Sequence, residues 1–165
     1  MNGKKIGLAI VLIAILFSTA FAAGYRRPAR RNAALFSKGD LLLTPELVII
    51  QHSTHLGANV EYFIERNIAV GGDVLLWLEG SSGMVIAPDV SYHFDVKVDN
   101  LDLFAGAGPA IALGFGHGGG SEFYFKPFGG ARYYFTPKIA AYFKMLAFIG
   151  SHSSFGAAFG ATFRM

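Results

Sequence analysis

The chain has 165 residues, a formal net charge of +3 and no cysteine. The missing thiols exclude a disulfide framework, a thiolate metal site and a lipid-modified N-terminal Cys. Hydrophobic residues make up 53% and charged residues 15%, yet no apolar run after the N-terminal one is long enough for a spanning helix, so alternating strands must use the apolar surface.

Residues 1–22 begin with Lys4 and Lys5, run through an apolar stretch from Ile6 to Phe17, and end on Ala20-Phe21-Ala22. A basic start, a short apolar core and a small-x-small site make a secretory signal peptide, with cleavage expected after Ala22. An uncleaved anchor would need an apolar span of about 20 residues, and this run is shorter. Residues 23–37 hold Arg26, Arg27, Arg30 and Arg31 and read as a basic periplasmic segment. Much of the positive charge lies in these two stretches. The remainder, 38–165, is close to neutral, so nucleic-acid binding is not implied.

Over 38–165 the apolar period is two rather than 3.6, and it predicts eight strands. They are Gly39 to Ile50, His55 to Ile64, Asn67 to Leu78, Met84 to Phe94, Leu101 to Phe115, Glu122 to Phe135, Ile139 to Ile149, and Ser154 to Met165. Spanning strands that tilt need roughly 9–11 residues, which these lengths meet. Glu65-Arg66, Asp95 to Asn100 and Thr136-Pro137-Lys138 connect strands at one end. Gln51 to Thr54, Glu79 to Gly83, Gly116 to Ser121 and Gly150 to Ser153 connect them at the other. With an even strand count, both termini fall on the first side, the periplasmic one.

Each strand has an apolar face, such as Leu41, Leu43, Leu47 and Ile49, and an opposite face that carries the charges. A soluble barrel would bury the apolar face. The charged face cannot be a dry core unless its charges pair, but it can line the lumen of a membrane barrel. Glu46, Glu61, Asp73 and Asp89 on early strands then face Lys126, Arg132 and Lys144 on later ones. An eight-stranded barrel is just wide enough to be filled by its own side chains, so this network is expected to plug it. On the outward phase, Tyr62, Tyr92, Phe94, Tyr133, Phe135 and Phe163 gather at the periplasmic ends. Phe115, Phe123, Phe125 and Phe155 gather at the other rim, giving two aromatic girdles in contact with outer-membrane lipids. Gly106 and Gly108 point inward and are expected to make room for bulky lumen neighbours, Trp77 and Tyr124 among them, or to bend the strand.

With these strands laid out, the chain resembles the eight-stranded outer-membrane β-barrel family that includes OmpA-, OmpX- and OmpW-like proteins. The resemblance covers about residues 38–165 and is carried by Gly130-Ala-Arg-Tyr-Tyr-Phe-Thr-Pro-Lys-Ile-Ala140 and by the closing Phe159-Gly-Ala-Thr-Phe-Arg-Met165. It implies an all-β, antiparallel, up-and-down transmembrane barrel. It also implies that periplasmic chaperones and the barrel-assembly machinery handle the chain, the latter reading the last strand. Met165 stands where that family usually ends in an aromatic residue.

Chemistry-bearing groups beyond the lumen are few. Some related barrels that deacylate lipid A use a His-x-Ser pair with an acidic partner, and His152-Ser153-Ser154 has that spacing. No Asp or Glu follows it, and nucleophilic catalysis needs a third group to orient the base. His52, His55, His117 and His152 are expected in outer loops, dispersed and solvated, so neither a metal nor a cofactor is anticipated. Gly116-His-Gly-Gly-Gly120 has no strand-to-helix context and reads as a hairpin loop rather than a phosphate cradle. The expectation is a monomeric, non-catalytic outer-membrane barrel with a structural or surface-interaction role. The alternatives are a narrow conduit for small apolar molecules, using inward Phe63, Trp77, Phe104 and Phe128, and a lipid A-modifying enzyme.

Overall fold

A computed structural model describes residues 35–51, 53–78, 82–96, 98–115 and 120–165, with the backbone alone at Ser82 and Phe115. The expected signal peptide, the Arg26–Arg31 cluster, His52, His117 and most of the Gly116–Gly120 loop lie outside the described residues. Within them run β1 (Leu41–Ile50), β2 (Ser53–Glu65), β3 (Ile68–Trp77), β4 (Ser82–Phe94), β5 (Leu101–Phe115), β6 (Ser121–Thr136), β7 (Ile139–Phe148) and β8 (Ser154–Arg164). All neighbours are antiparallel and β1 pairs with β8, so the sheet closes on itself. Closure removes every sheet edge, and with it the unpaired backbone groups that an edge would expose.

The strand bounds lie within two residues of the alternation pattern, and those of β5 coincide with it. β2 and β4 start earlier than expected, at Ser53 and Ser82, because their polar first residues pair backbone to backbone with Ile50 and Phe115. The closing seam joins Leu43 to Phe163 and Ile49 to Ala157. It is fixed at its two ends by Met165 N donating to Leu41 O at 2.9 Å and Gln51 N donating to Phe155 O at 3.1 Å. Gly39 turns the chain into β1 with a φ of 95°, a value that favours a residue without a Cβ.

Alternation sorts the side chains by face along every strand. Leu42, Thr44, Glu46 and Val48 of β1 point in and are buried; Pro45 and Ile49, between and beyond them, are exposed. The wall has one weak place. Between the Ile86–Ile111 and Val90–Ala107 pairs of β4 and β5, Pro88 stands opposite Pro109. Neither has an N–H to give to the ladder. Gly108 closes the strands tightly here, since a Cβ on it would overlap Pro88 O and the Asp89 backbone. The carbonyl of Ala87, beside the gap, accepts instead from Lys126 Nζ in the lumen at 3.4 Å.

This packing gives a matched test. Gly108→Ala should lower the unfolding free energy by roughly 1–3 kcal/mol through overpacking. Gly120→Ala, where a Cβ meets open space, should stay within about 0.5 kcal/mol of the parent. Urea unfolding in detergent micelles, followed by gel migration, measures both.

Candidate functional site in the barrel lumen

The lumen is filled in layers, and their order follows from the strands. Nearest the termini, Phe36 reaches back into the barrel and stacks on Phe63 with ring centroids 4.3 Å apart. It meets His93 at 5.2 Å and Tyr134 at 6.0 Å edge-on. Arg164 holds this segment by donating to Leu35 O and to Asp40 Oδ2, both at 2.7 Å. Leu35 and Phe36, which precede the first strand, thus pack with the barrel.

Above this stopper lies the first charge cluster. Arg132 pairs with Glu61, and its Nη1 donates to Asp102 Oδ2 at 3.0 Å. His93 Nδ1 lies 2.9 Å from Asp102, while its Nε2 contacts Ser91 Oγ at 3.1 Å, and Ser91 in turn donates to Glu61 at 3.3 Å. A layer of rings follows. Phe104 lies parallel to Tyr142 at 5.7 Å, and Phe128 completes the layer 6.3 Å from Phe104. Each phenylalanine faces a glycine on the paired strand, Phe104 opposite Gly130 and Phe128 opposite Gly106. A Cβ on either glycine would strike the ring.

The second charge cluster sits on the far side of the rings. Asp73 pairs with both Lys126 and Lys144, the latter at 2.8 Å, and accepts from Asn59 at 2.8 Å. Asp89 takes Lys126 at 2.7 Å; Glu46 stands 3.5 Å from Lys144, and neither of its oxygens accepts a hydrogen bond. Three carboxylates thus share two ammonium groups. The cations also use the rings between the clusters. Arg132 lies 4.4 Å from the Phe104 centroid, Lys126 4.9 Å from Phe128 and Lys144 5.6 Å from Tyr142. Cation–π attraction gains strength where water is excluded, and Arg132, Lys126 and Lys144 are each 0% exposed. Val48, Leu75 and Leu146, two residues farther along their strands, and Val85, four residues from Asp89, form an apolar layer above the charges.

All seven charged residues singled out from the sequence point inward, but they do not form one network. Glu61 and Arg132 belong to the first cluster; Glu46, Asp73, Asp89, Lys126 and Lys144 belong to the second. Asp102, which the period of two puts on the charged inward face, completes the first cluster with His93 and Ser91, and Asn59 completes the second; none of the four belongs to the expected network. Gly106 makes room for a bulky lumen neighbour as expected, but the ring is that of Phe128 and not Trp77 or Tyr124, while Gly108 lets the β4 backbone approach. His55 is not in a loop either. It lies buried in β2, edge-on to Trp77 at 6.4 Å.

His152 is exposed in the β7–β8 turn and Ser154 opens β8. Among the described residues, no group of three or more His, Asp or Glu side chains could hold a metal ion. Outside the barrel, Tyr62, Tyr92, Phe94 and Tyr133 are exposed near the terminal end, with Phe135 and Phe163 partly covered. Phe123, Phe125 and Phe155 are exposed at the other end, and aliphatic residues such as Val60, Val74, Ile86 and Val90 lie between.

No protein-family model matches the sequence, and no curated protein does. Solved structures do. The N-terminal β-barrel domain of Pseudomonas aeruginosa OprF superposes with a TM-score of 0.69 at 17% identity, covering 79% of this chain and all of that one. The fold is that of an eight-stranded transmembrane β-barrel. A de novo designed transmembrane β-barrel matches with a TM-score of 0.62 at 12% identity, over 79% of this chain and 98% of the other. The Yersinia pestis outer membrane protein Ail, in a phospholipid nanodisc, matches with 0.56 at 10% identity, over 77% and 99%. A designed barrel sharing the scaffold shows that the fold itself carries no role.

The two clusters predict unequal mutations. Lys144→Met leaves three carboxylates around one ammonium and should cost about 3–5 kcal/mol, as for other broken buried pairs. Glu46→Gln leaves two carboxylates for two ammoniums and removes no hydrogen bond, so it should cost less than about 1 kcal/mol. Arg66→Ala, which breaks the exposed Arg66–Asp95 pair, should also fall under about 1 kcal/mol. Micelle unfolding curves that rank Glu46→Gln with Lys144→Met would contradict this arrangement. At the terminal end, Phe36→Ala should destabilise by about 3–5 kcal/mol, read in the same assay.

Proposed function

We propose that the protein is a small, monomeric barrel of a bacterial outer membrane, with both termini in the periplasm and a lumen closed by its own side chains. Its role on this reading is structural or one of surface contact, without catalysis of its own. The observation that carries it is the complete burial of Arg132, Lys126 and Lys144 in paired clusters separated by rings. A water-filled path would wet those cations, and a soluble barrel would not turn its aliphatic side chains outward between two belts of aromatics. Outer-membrane lipids are the partners such a wall requires. The resemblance of the closing strand adds the barrel-assembly machinery and periplasmic chaperones.

The conduit reading finds less support. Phe63, Phe104 and Phe128 are stacked inside the plug rather than lining a passage. Where Pro88 and Pro109 thin the ladder, the lumen behind holds Lys126 and Asp89, which are poor neighbours for an apolar molecule. For the enzyme reading, no carboxylate among the described residues is hydrogen-bonded to His152 or Ser154 to orient the base.

Fractionation is expected to place the protein with outer-membrane markers, and unboiled samples should migrate faster on gels than boiled ones. In planar bilayers the folded protein should give no stepwise conductance. Regular channel steps would overturn the plugged lumen, and co-fractionation with the inner membrane would overturn the location.

A further inference from the structure

At the end of the barrel away from the termini, the apolar layer is the floor of an open cavity of about 350 Å³. Cavities of this order hold small ligands. Val85, Ala112 and Phe148 form its base, Trp77 and Tyr124 stand in its walls, and Ser53, Thr54, His55, His152 and Ser154 are among the polar groups around it. Both wall rings lie back against the sheet instead of filling the space. Trp77 covers Gly83, where a Cβ would collide with its six-membered ring, and Tyr124 covers Gly150, where a Cβ would come within 2.8 Å of Cδ1. The glycines keep the mouth open.

A second observation marks the same rim. Gln51 takes a φ of 50°, in the left-handed region that residues other than glycine seldom occupy. Its side-chain amide donates to Ser153 O of the neighbouring β7–β8 turn at 3.4 Å. The two-residue hairpin that joins Ile50 to Ser53 requires that backbone value, and the contact ties two neighbouring turns of the rim together.

The lining sets the ligand class. Among the described lining residues there is no Lys, Arg, Asp or Glu, and the carboxylate beside them, Glu122, already accepts from the Tyr124 hydroxyl, so a charged ligand would lose its hydration without a free counter-charge. A wholly apolar ligand would cover hydroxyls and leave them unpaired. What fits is a ring with a flat apolar face for the indole or phenol, and an edge of neutral hydroxyls that give and take hydrogen bonds as serine and threonine do. We propose that the mouth cavity binds a neutral pyranose ring, free or as the terminal unit of a glycan. The assignment does not depend on which membrane holds the barrel.

Trp77 is the sole tryptophan of the chain, so its fluorescence reports on this cavity directly. The protein, folded in a zwitterionic detergent without a sugar headgroup, would be titrated with methyl glucoside, galactoside and mannoside, N-acetylglucosamine and a trisaccharide. Sorbitol, 2-naphthol and a sulfated sugar serve as controls. At least one neutral pyranoside should give a saturable change in emission at millimolar concentration, with sorbitol inert. A methyl glycoside as good as the trisaccharide points to a single-ring site, and a tighter trisaccharide points to a glycan terminus. Tyr124→Ala, which removes one wall, and Ala112→Phe, which fills the cavity from its base, should each weaken binding about tenfold or more. Both should keep the faster migration of unboiled protein. No saturable response to any pyranoside, an equal response to sorbitol, a response confined to naphthol or the sulfated sugar, or binding unaltered in folded Ala112→Phe would overturn the proposal.

Discussion

Asp73 sits between Lys126 and Lys144, and the rest of the barrel is arranged around that contact. Eight strands enclose a space only as wide as the side chains that fill it, so a cation carried on an inward position has no water to turn to. Lys126 and Lys144 are wholly buried, and burial of an unpaired ammonium would cost more than the fold can supply. The carboxylates must therefore arrive from the opposite wall: Asp73 from β3, Asp89 from β4 and Glu46 from β1. Pairing of this kind spans the lumen, ties strands that share no ladder, and makes closure a condition of charge neutralisation.

The same contact explains how a wall with prolines in it holds together. Pro45, Pro88, Pro109 and Pro127 all lie on outward phases, where their rings suit an apolar surroundings but their missing N–H groups thin the ladder. At Pro88 and Pro109 two such residues meet, and the Ala87 carbonyl beside them accepts from Lys126 rather than relying on the ladder alone. One ammonium thus serves Asp73, Asp89 and the backbone at once. The rings below it add attraction without adding charge, because Phe104, Phe128 and Tyr142 each lie within cation–π range of at least one buried cation.

Much of this was legible before any coordinates. A period of two assigns every residue to a face, and a face with Glu46, Asp73, Lys126 and Lys144 opposite one with Leu47, Val74, Phe125 and Met145 already says which way the barrel is turned. Alternation does not say how high on the wall a residue stands. Height depends on register and tilt, which is why one network was expected where two exist. Glu61 and Asp73 point the same way from adjacent strands but fall on either side of the ring layer. Phe36 was missed for another reason: it precedes the first strand and belongs to no period, so only its stacking on Phe63 reveals it. Glycine positions were visible but their partners were not, since the ring over Gly106 comes from β6 and the one over Gly83 from β3.

The two ends of the barrel are built differently, and the clusters lie between them. At the terminal end Phe36, Tyr134 and Arg164 stop the lumen with side chains and a returning segment. At the other end the filling stops at Val48, Leu75, Val85 and Phe148, and the rings that could have continued it are laid flat over glycines. A cavity with a soft floor would collapse inward on its own apolar lining. Here the floor rests on two lysines fixed by three carboxylates, so a mouth site would be shaped before any ligand arrives and little conformational freedom would be lost on binding. In this barrel the inner plug and the outer cavity are one construction, because the charge pairing that closes the lumen lies beneath the floor of its mouth.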